Sequence, residues 1–475
     1  MSYAIYIGCD HTADGIAYVA GYGDEPSSHW LELAPQKEHD PHSTVTVGVT
    51  SDAEMPGSLC EIPQARYTAR CLRVNYSQYR GTPAPITNGG LNEYGVAVFD
   101  VWSKSSQALI EMTPSDQTGP NYSDLARLVI ERAKSAREGV ELIGSLIEEF
   151  GHSTYGGNSH LIADAEEAWV VIEFAGEMGL WVAERLGSDA IRASRPGYIG
   201  TVPLTPTEDF MYPSHLIDTA ITNGWYDPSH GEFNVNQVYG DGKGRWEGVA
   251  WIEKEMRSRA QKPQRLSIDD IFWAISTEHL TGDTAGYGRV VPLTNPKHSG
   301  TRMMWYSPIG AVTAPLVPVF IGQKSVPPEY AQHRFLTAGE SAKVLDTRKQ
   351  EDDPASVSRI SQGVECSRCA VYAFKRLMHL VFQKPDLLFK EVWDHWRAIE
   401  MSYYSELSDT IKSASILYDA NEDELAENLL TNFNHHCLDH ILNDCEALAE
   451  SAYVRLRALG ELNYDSIPRN PVQIR

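Results

Sequence analysis

The period of the apolar residues changes several times along this chain, and those changes constrain the fold more than any single motif. Up to about residue 102 the apolar runs are short and strand-like. SYAIYIG (2–8), TVTVGVT (44–50), ARCLRVNYSQY (69–79) and GVAVFDVW (95–102) are rich in β-branched and aromatic residues and separated by turn formers. From Asp124, with Ser123 as N-cap, LARLVIERAKSA and GVELIGSLIEEFG then place apolar residues at helical spacing, and Gly151 stands where a C-cap belongs. HLIADA and AWVVIEF return to the strand pattern across a charged turn, with WVAERL as a third run. Strands, a helix pair and strands again predict an α+β protein whose sheets carry helices on their outer faces.

Residues 200–300 are rich in Gly, Pro, Tyr and Asn, with one clear helix at SIDDIFWAIST (267–277), and read as long insertions. The strand-like pattern ends near VPVFIGQKSVPPEY (317–330). KQEDDPASVS (349–358) reads as an exposed connection, and nearly everything after it is helical. Two regions follow: residues 1–330 as the α+β body and 331–475 as a mainly helical C-terminal region. In the last helix, about 421–459, Leu425, Leu429, Phe433, Cys437, Ile441, Cys445 and Leu448 form an apolar stripe that requires a partner surface.

Charge and composition exclude several classes. Forty Lys and Arg against 64 Asp and Glu give a formal charge of -24, which repels phosphate backbones, so nucleic-acid binding is not expected. No apolar run approaches the roughly 20 residues that span a bilayer, and the start lacks the pattern of a secretory signal. No membrane partner and a cytoplasmic location are expected. Seven cysteines scattered over 475 residues fit a reducing compartment. Self-association into a homo-oligomer stays open.

No cofactor or metal site emerges. His435, His436 and His440 in NHHCLDH lack an HExxH acid, and Cys366-Ser-Arg-Cys369 is a single CxxC running into an apolar helix. GDGKGRW (240–246) lacks the Ser/Thr and following helix of a phosphate loop, and no GxSxG elbow is present. Two nucleophiles remain in the opening MSYAIYIGCDHTADG: Ser2 and Cys9. With Met1 removed, Ser2 would carry a free α-amine, whose ordinary pKa of about 7.7–8.0 suits it as a base for its own hydroxyl. Exposing Cys9 instead would delete the first strand and leave its neighbour's ladder bonds unmade.

Taken in order, the opening hairpin with Asp14-Gly15, GGLNEYGVAV (89–98), the helix pair, NSHLIADAEEAWVVIEFAG (158–176), TEHLTGDT (277–284), SPIGAVTAPLVPVFIG and CAVYAFKRL resemble the dipeptidase A and secernin family of N-terminal-nucleophile amidohydrolases. The resemblance implies an αββα sandwich with a nucleophile on the first mature residue, cleaving amide bonds of dipeptides or N-acyl amino acids. The family has cysteine there, twelve residues before the Asp-Gly turn; counting back from Asp14 lands on Ser2. Asp24 is the expected partner of the α-amine, and Asn92 the expected oxyanion donor together with amides of the GLNEYG turn. Where relatives carry Asn before Ile-Gly-Thr, this chain has Arg195, expected to bind a substrate carboxylate in place of a guanidinium absent near Gly21. Tyr22, Asn158 and Asp100 complete the expected substrate-binding set. The leading expectation is a hydrolase acting on a small dipeptide-like molecule. Acyl transfer through the same ester, and a non-catalytic secernin-like binding role, are the alternatives.

Overall fold

The computed structural model describes residues 2–23, 29–51, 53, 55–76, 82, 85–154, 156–261, 264–282, 285–331, 368–463 and 472–474. Asp24, Cys366 and the KQEDDPASVS connection lie outside the described residues. The chain forms two compact units, one of Met1–Val19, Ala34–Arg73 and Arg80–Arg265, the other of Ala20–Leu33, Val74–Tyr79 and Leu266–Arg475. Both mix helix and sheet.

In the first unit, β1 (Tyr3–Ile7) and the start of β2 (Ala17–Tyr22) form the expected opening hairpin, with a 3₁₀ turn at Cys9–His11 between them. Asp14 shapes the return: its carboxylate accepts from Ile16 N at 3.0 Å and from the Tyr18 hydroxyl at 2.5 Å, while Gly15 takes φ +71°. A second sheet has as neighbours β3 (Cys71–Tyr76), β4 (Thr87–Asn92) and β5 (Ala97–Val101). Two helices follow, α1 (Tyr122–Arg132) and α2 (Ala136–Phe150). The sheet then continues antiparallel through β6 (Asn158–Ala163), β7 (Ala168–Glu173) and β8 (Trp181–Leu186). Back in the first sheet, β9 (Ile191–Ser194) pairs antiparallel with β1, and α3 (Glu247–Ala260) lies on β9.

The first helix starts at Tyr122, not Asp124, and Ser123 is not its cap. Asn121 accepts from Asp124 N at 3.0 Å while the Asp124 carboxylate accepts from Asn121 N at 3.2 Å, a closed capping box. Ser123 Oγ instead accepts from Thr87 N at 2.7 Å, tying the helix start to β4. Ser135 caps α2, and Gly151 ends it at φ +88° as the sequence suggested.

Alternation decides which side chains meet these helices. Val96 and Val98, Ile162, Trp169 and Val171, and Ala183 form one core with Leu125, Leu128, Val129, Ile143 and Ile147 of the helix pair. Because successive strand residues point to opposite faces, Asp100, Asn158, His160 and Glu173 share that helix-covered face. Phe99, Val101, Ser159 and Leu161 point the other way, toward the side on which β1 meets β5.

The second unit holds α4 (Ile268–Ser276), capped by a Ser267/Asp270 box, and the antiparallel strands β10 (Gly288–Leu293), β11 (Met303–Ser307) and β12 (Val317–Phe320). Three helices complete it: α5 (Ala370–Gln383), α6 (Pro385–Asp419) and α7 (Asp423–Leu459). The last packs on the other two and on β12, with Asn434 donating to Pro318 O at 2.7 Å. Its stripe differs from the expected one. Steps of four residues advance each position about 40° past a full turn, so a four-spaced series drifts about 200° between Leu425 and Cys445. Cys437, Ile441 and Cys445 are buried, whereas Leu425 is 52% exposed and Ala426 and Leu430 take the inward positions. Among the described residues, no helix is long and apolar enough to cross a membrane.

Gly144 of α2 tests the helix-on-sheet packing, since a Cβ there would sit 2.2 Å from the Trp181 ring, whose Nε1 donates to Glu148 at 2.9 Å. Gly→Ala in a helix ordinarily gains up to about 1 kcal/mol, while overpacking costs about 1–3 kcal/mol. Gly144→Ala is therefore expected to destabilise the protein by up to about 2 kcal/mol in urea titrations. A stabilised variant would show that Trp181 moves freely.

Candidate active site

Ser2, 6% exposed, immediately precedes β1. Ala4 lies opposite Ser194, so the antiparallel register brings Ser2 to the same end of the sheet as the residues after Ser194: Arg195, the cis bond to Pro196, and Gly197. The Arg195 guanidinium stacks 4.6 Å from the Trp246 ring centroid, and Arg195 is 7% exposed. A guanidinium over the face of an indole is attracted by the ring quadrupole.

Gly197 closes this end. Its N–H donates to Trp102 O at 3.1 Å and its carbonyl accepts from Ser103 Oγ at 3.1 Å. A Cβ at 197 would fall 2.1 Å from Ser159 Oγ, so only glycine allows the chain to cross there. Ser159 Oγ and Ser194 Oγ are buried with no hydrogen-bond partner among the described residues. Trp246, Ser103, Ser159 and Ser194 were not legible as site residues. The SRPG spelling around Arg195 was the available signal, and nothing in the sequence ties it to Trp246.

Asp100 and Asn158 do meet, but on the helix-covered face. Asn158 Nδ2 donates to Asp100 Oδ1 at 2.7 Å, and Asn88 Nδ2, an addition from β4, donates to Oδ2 at 3.2 Å. Beside them His160 bridges Glu173 (Nδ1 to Oε1, 2.8 Å) and Tyr122 O (3.0 Å), beneath the start of α1. Burial pushes the His160 imidazole down, yet the facing Glu173 carboxylate and the charge on Asp100 leave it raised overall. Burial, and then the His160 charge, pushes His152 down to about 3.

The structure gives Asn92 work other than oxyanion binding. Its Nδ2 donates to Ile130 O at 3.1 Å and Ala133 O at 2.8 Å, and its Oδ1 accepts from Tyr94 N and Val96 N. Both amide protons are committed, so the side chain locks the β4–β5 turn to the end of α1. Tyr22 belongs to the second unit, 1% exposed, its hydroxyl donating to Leu280 O at 2.9 Å. Cys9 sits part-exposed in the 3₁₀ turn that Asp10 N ties to Ser188 O at 3.0 Å. Among the described residues no three His, Cys, Asp or Glu side chains form a metal site.

Residues 33–246 match peptidase family C69. That segment contains Asn92, Asp100, Asn158, Arg195 and Trp246, and starts after Ser2, Tyr22 and Asp24. The chain is 23% identical over 296 residues to a probable dipeptidase B of Lactococcus lactis, covering 56% of this chain and 60% of the relative. It is 26% identical over 223 residues to a probable dipeptidase A of Streptococcus pyogenes, covering 42% and 46%. The chain thus spans no more than about 60% of the length of these relatives. Among solved structures, a mutant of the conjugated bile acid hydrolase from Clostridium perfringens aligns at TM-score 0.29 and 10% identity, over 68% of this chain and 94% of that one.

Two outcomes check this geometry. Asn92→Ala leaves two buried carbonyls and two N–H groups without their partner, a loss of about 3 kcal/mol or more in chemical denaturation. Activity lost at unchanged stability would instead place Asn92 at the chemistry. For His152, the folded protein binds fewer protons than the unfolded chain between pH about 6.5 and about 3, so stability falls as pH falls through that window. The urea midpoints of wild type and His152→Gln, compared across that range, should converge as pH drops; a constant difference would contradict the burial of a neutral imidazole.

Proposed function

We propose that this chain is an N-terminal-nucleophile amidohydrolase of αββα architecture, acting on a small dipeptide-like or N-acyl amino acid substrate. The observation that carries the reading is the placement of Ser2. It is a buried hydroxyl at the head of a strand, brought by register to the end of the sheet where Arg195 is stacked on Trp246. The match to peptidase family C69 and the dipeptidase names of the relatives support a peptidase or amidase chemistry.

In this mechanism Met1 is removed and the Ser2 α-amine becomes the base. The amine takes the hydroxyl proton as Oγ attacks the amide carbon, and the same proton passes to the leaving nitrogen as the C–N bond breaks. Water then attacks the resulting ester, its proton going to the amine, and releases the acid with Ser2 restored. Serine is a weaker nucleophile than the thiol usual in such enzymes, so more of the barrier reduction falls to donors around the developing oxyanion. Each such donor contributes about 3–4 kcal/mol in comparable sites. Backbone amides are the candidates, because the Asn92 amide is committed to the turn. Arg195 receives the substrate carboxylate. Asp100, Asn88 and Asn158 act as positioning residues that fix the ends of β4, β5 and β6.

The test combines mass and kinetics. Intact-mass measurement of natively produced protein is expected to show the loss of one methionine. Ser2→Ala should abolish release of amino acids from dipeptides and N-acyl amino acids, and Ser2→Cys should retain it. Retained Met1 with full activity in Ser2→Ala would refute the mechanism. Products formed with and without a competing amine separate hydrolysis from acyl transfer.

A further inference from the structure

At the opposite end of β9 from Arg195, hydrogen-bond donors outnumber acceptors. A cavity of about 200 Å³ opens between the β8–β9 turn and α3. Arg192 spends two N–H groups on Glu184, at 3.3 and 2.7 Å, and one on Tyr198 O. Arg245 grips both oxygens of Glu253, and Glu253 Oε1 also accepts from Ala193 N at 2.7 Å. Both carboxylates lining the cavity are therefore already engaged by donors. Arg257, on the same wall, donates to the neutral Ile191 O, at 2.9 Å.

A second cavity of about 470 Å³ shares Arg245, Glu253 and Arg257 and adds Lys254. Lys254 and Arg257 are one helical turn apart on α3, and neither is paired with a carboxylate among the described residues. Arg185, which also lines the smaller cavity, is taken by Asp209 and Glu208. An excess of cations over carboxylates in one concavity, within a chain of net charge -24, runs against the molecule's overall sign. A single water occupies about 30 Å³, so the smaller space accommodates a polyatomic group.

We propose that this cleft binds a small multiply charged oxyanion, of phosphate or polycarboxylate type, separately from the chemistry at Ser2. Its oxygens accept from Arg257 and Lys254, the charge-assisted geometry in which guanidinium exceeds ammonium. The anion also neutralises the two cations of α3 that lack acidic partners.

The experiment is calorimetric titration of the full chain with inorganic pyrophosphate and, separately, citrate, at constant ionic strength against chloride. Saturable one-site binding of either anion is expected. Arg257→Gln should weaken it by about tenfold and Lys254→Gln, at an exposed position, by about threefold. Arg66→Gln, an exposed paired arginine elsewhere, should leave it unchanged. Absence of saturable binding by wild type, or equal affinity in wild type and both cleft variants, overturns the proposal. Because none of these residues lies at Ser2, loss of anion binding with dipeptidase activity intact leaves the proposed reaction standing, and the converse leaves the anion site standing.

Discussion

The strict alternation of side chains across β5, β6 and β7 is the constraint from which the rest of the first unit follows. One parity, Val98, Ile162, Trp169 and Val171, is apolar and buried against the helix pair. Each such side chain contributes about 1.5–3 kcal/mol when fully removed from water. A slip of one residue would turn all of them to the other face, so the register is set by the whole core together. Once it is set, the polar residues of the same parity, Asp100, Asn158, His160 and Glu173, have to lie under the helices as well. They do so only at the strand ends near the start of α1, where they satisfy one another through Asn88, Tyr122 O and their own pairs. Each member of this buried network has at least one partner, while Glu173 Oε2 is left without one among the described residues.

That constraint also explains what was legible in the sequence. The helix pair, its Gly151 terminus, the opening hairpin and the three strands after it rest on local periodicity and turn chemistry, which one segment carries by itself. The true start of α1 was missed because Asn121-Tyr-Ser-Asp124 is a capping box spelled with Asn and Asp, while the nearer Ser123 offered a simpler cap. Its hydroxyl was already bound to Thr87, a partner 36 residues away that no local pattern reveals. The C-terminal stripe was drawn with a spacing of four where the helix turns every 3.6 residues, so its far end pointed at solvent.

Site residues were harder, because their roles depend on partners distant in the chain. Asn92 in GLNEYG has the look of a catalytic amide, and only the meeting of its turn with the end of α1 shows both protons consumed. Asp100 and Asn158 were expected among the substrate-binding residues; the structure joins them to each other at 2.7 Å, and strand parity puts them under the helices. Ser2 and Arg195 were read from opposite ends of a long stretch. The antiparallel pairing of β1 with β9 is what sets them at one end of a sheet.

β9 itself links the two proposals physically. Its backbone is gripped on the helix side by charged groups: Ala193 N by Glu253, Ala193 O by Arg245 and Ile191 O by Arg257. Its other edge pairs with β1 and so fixes the end at which Ser2 stands. A four-residue strand has few ladder bonds of its own, and the ion-paired cluster supplies the rigidity that its length does not. Arg245 and Glu253 each spend hydrogen bonds on the strand and on each other, so the geometry of the pair and the position of Ala193 are coupled.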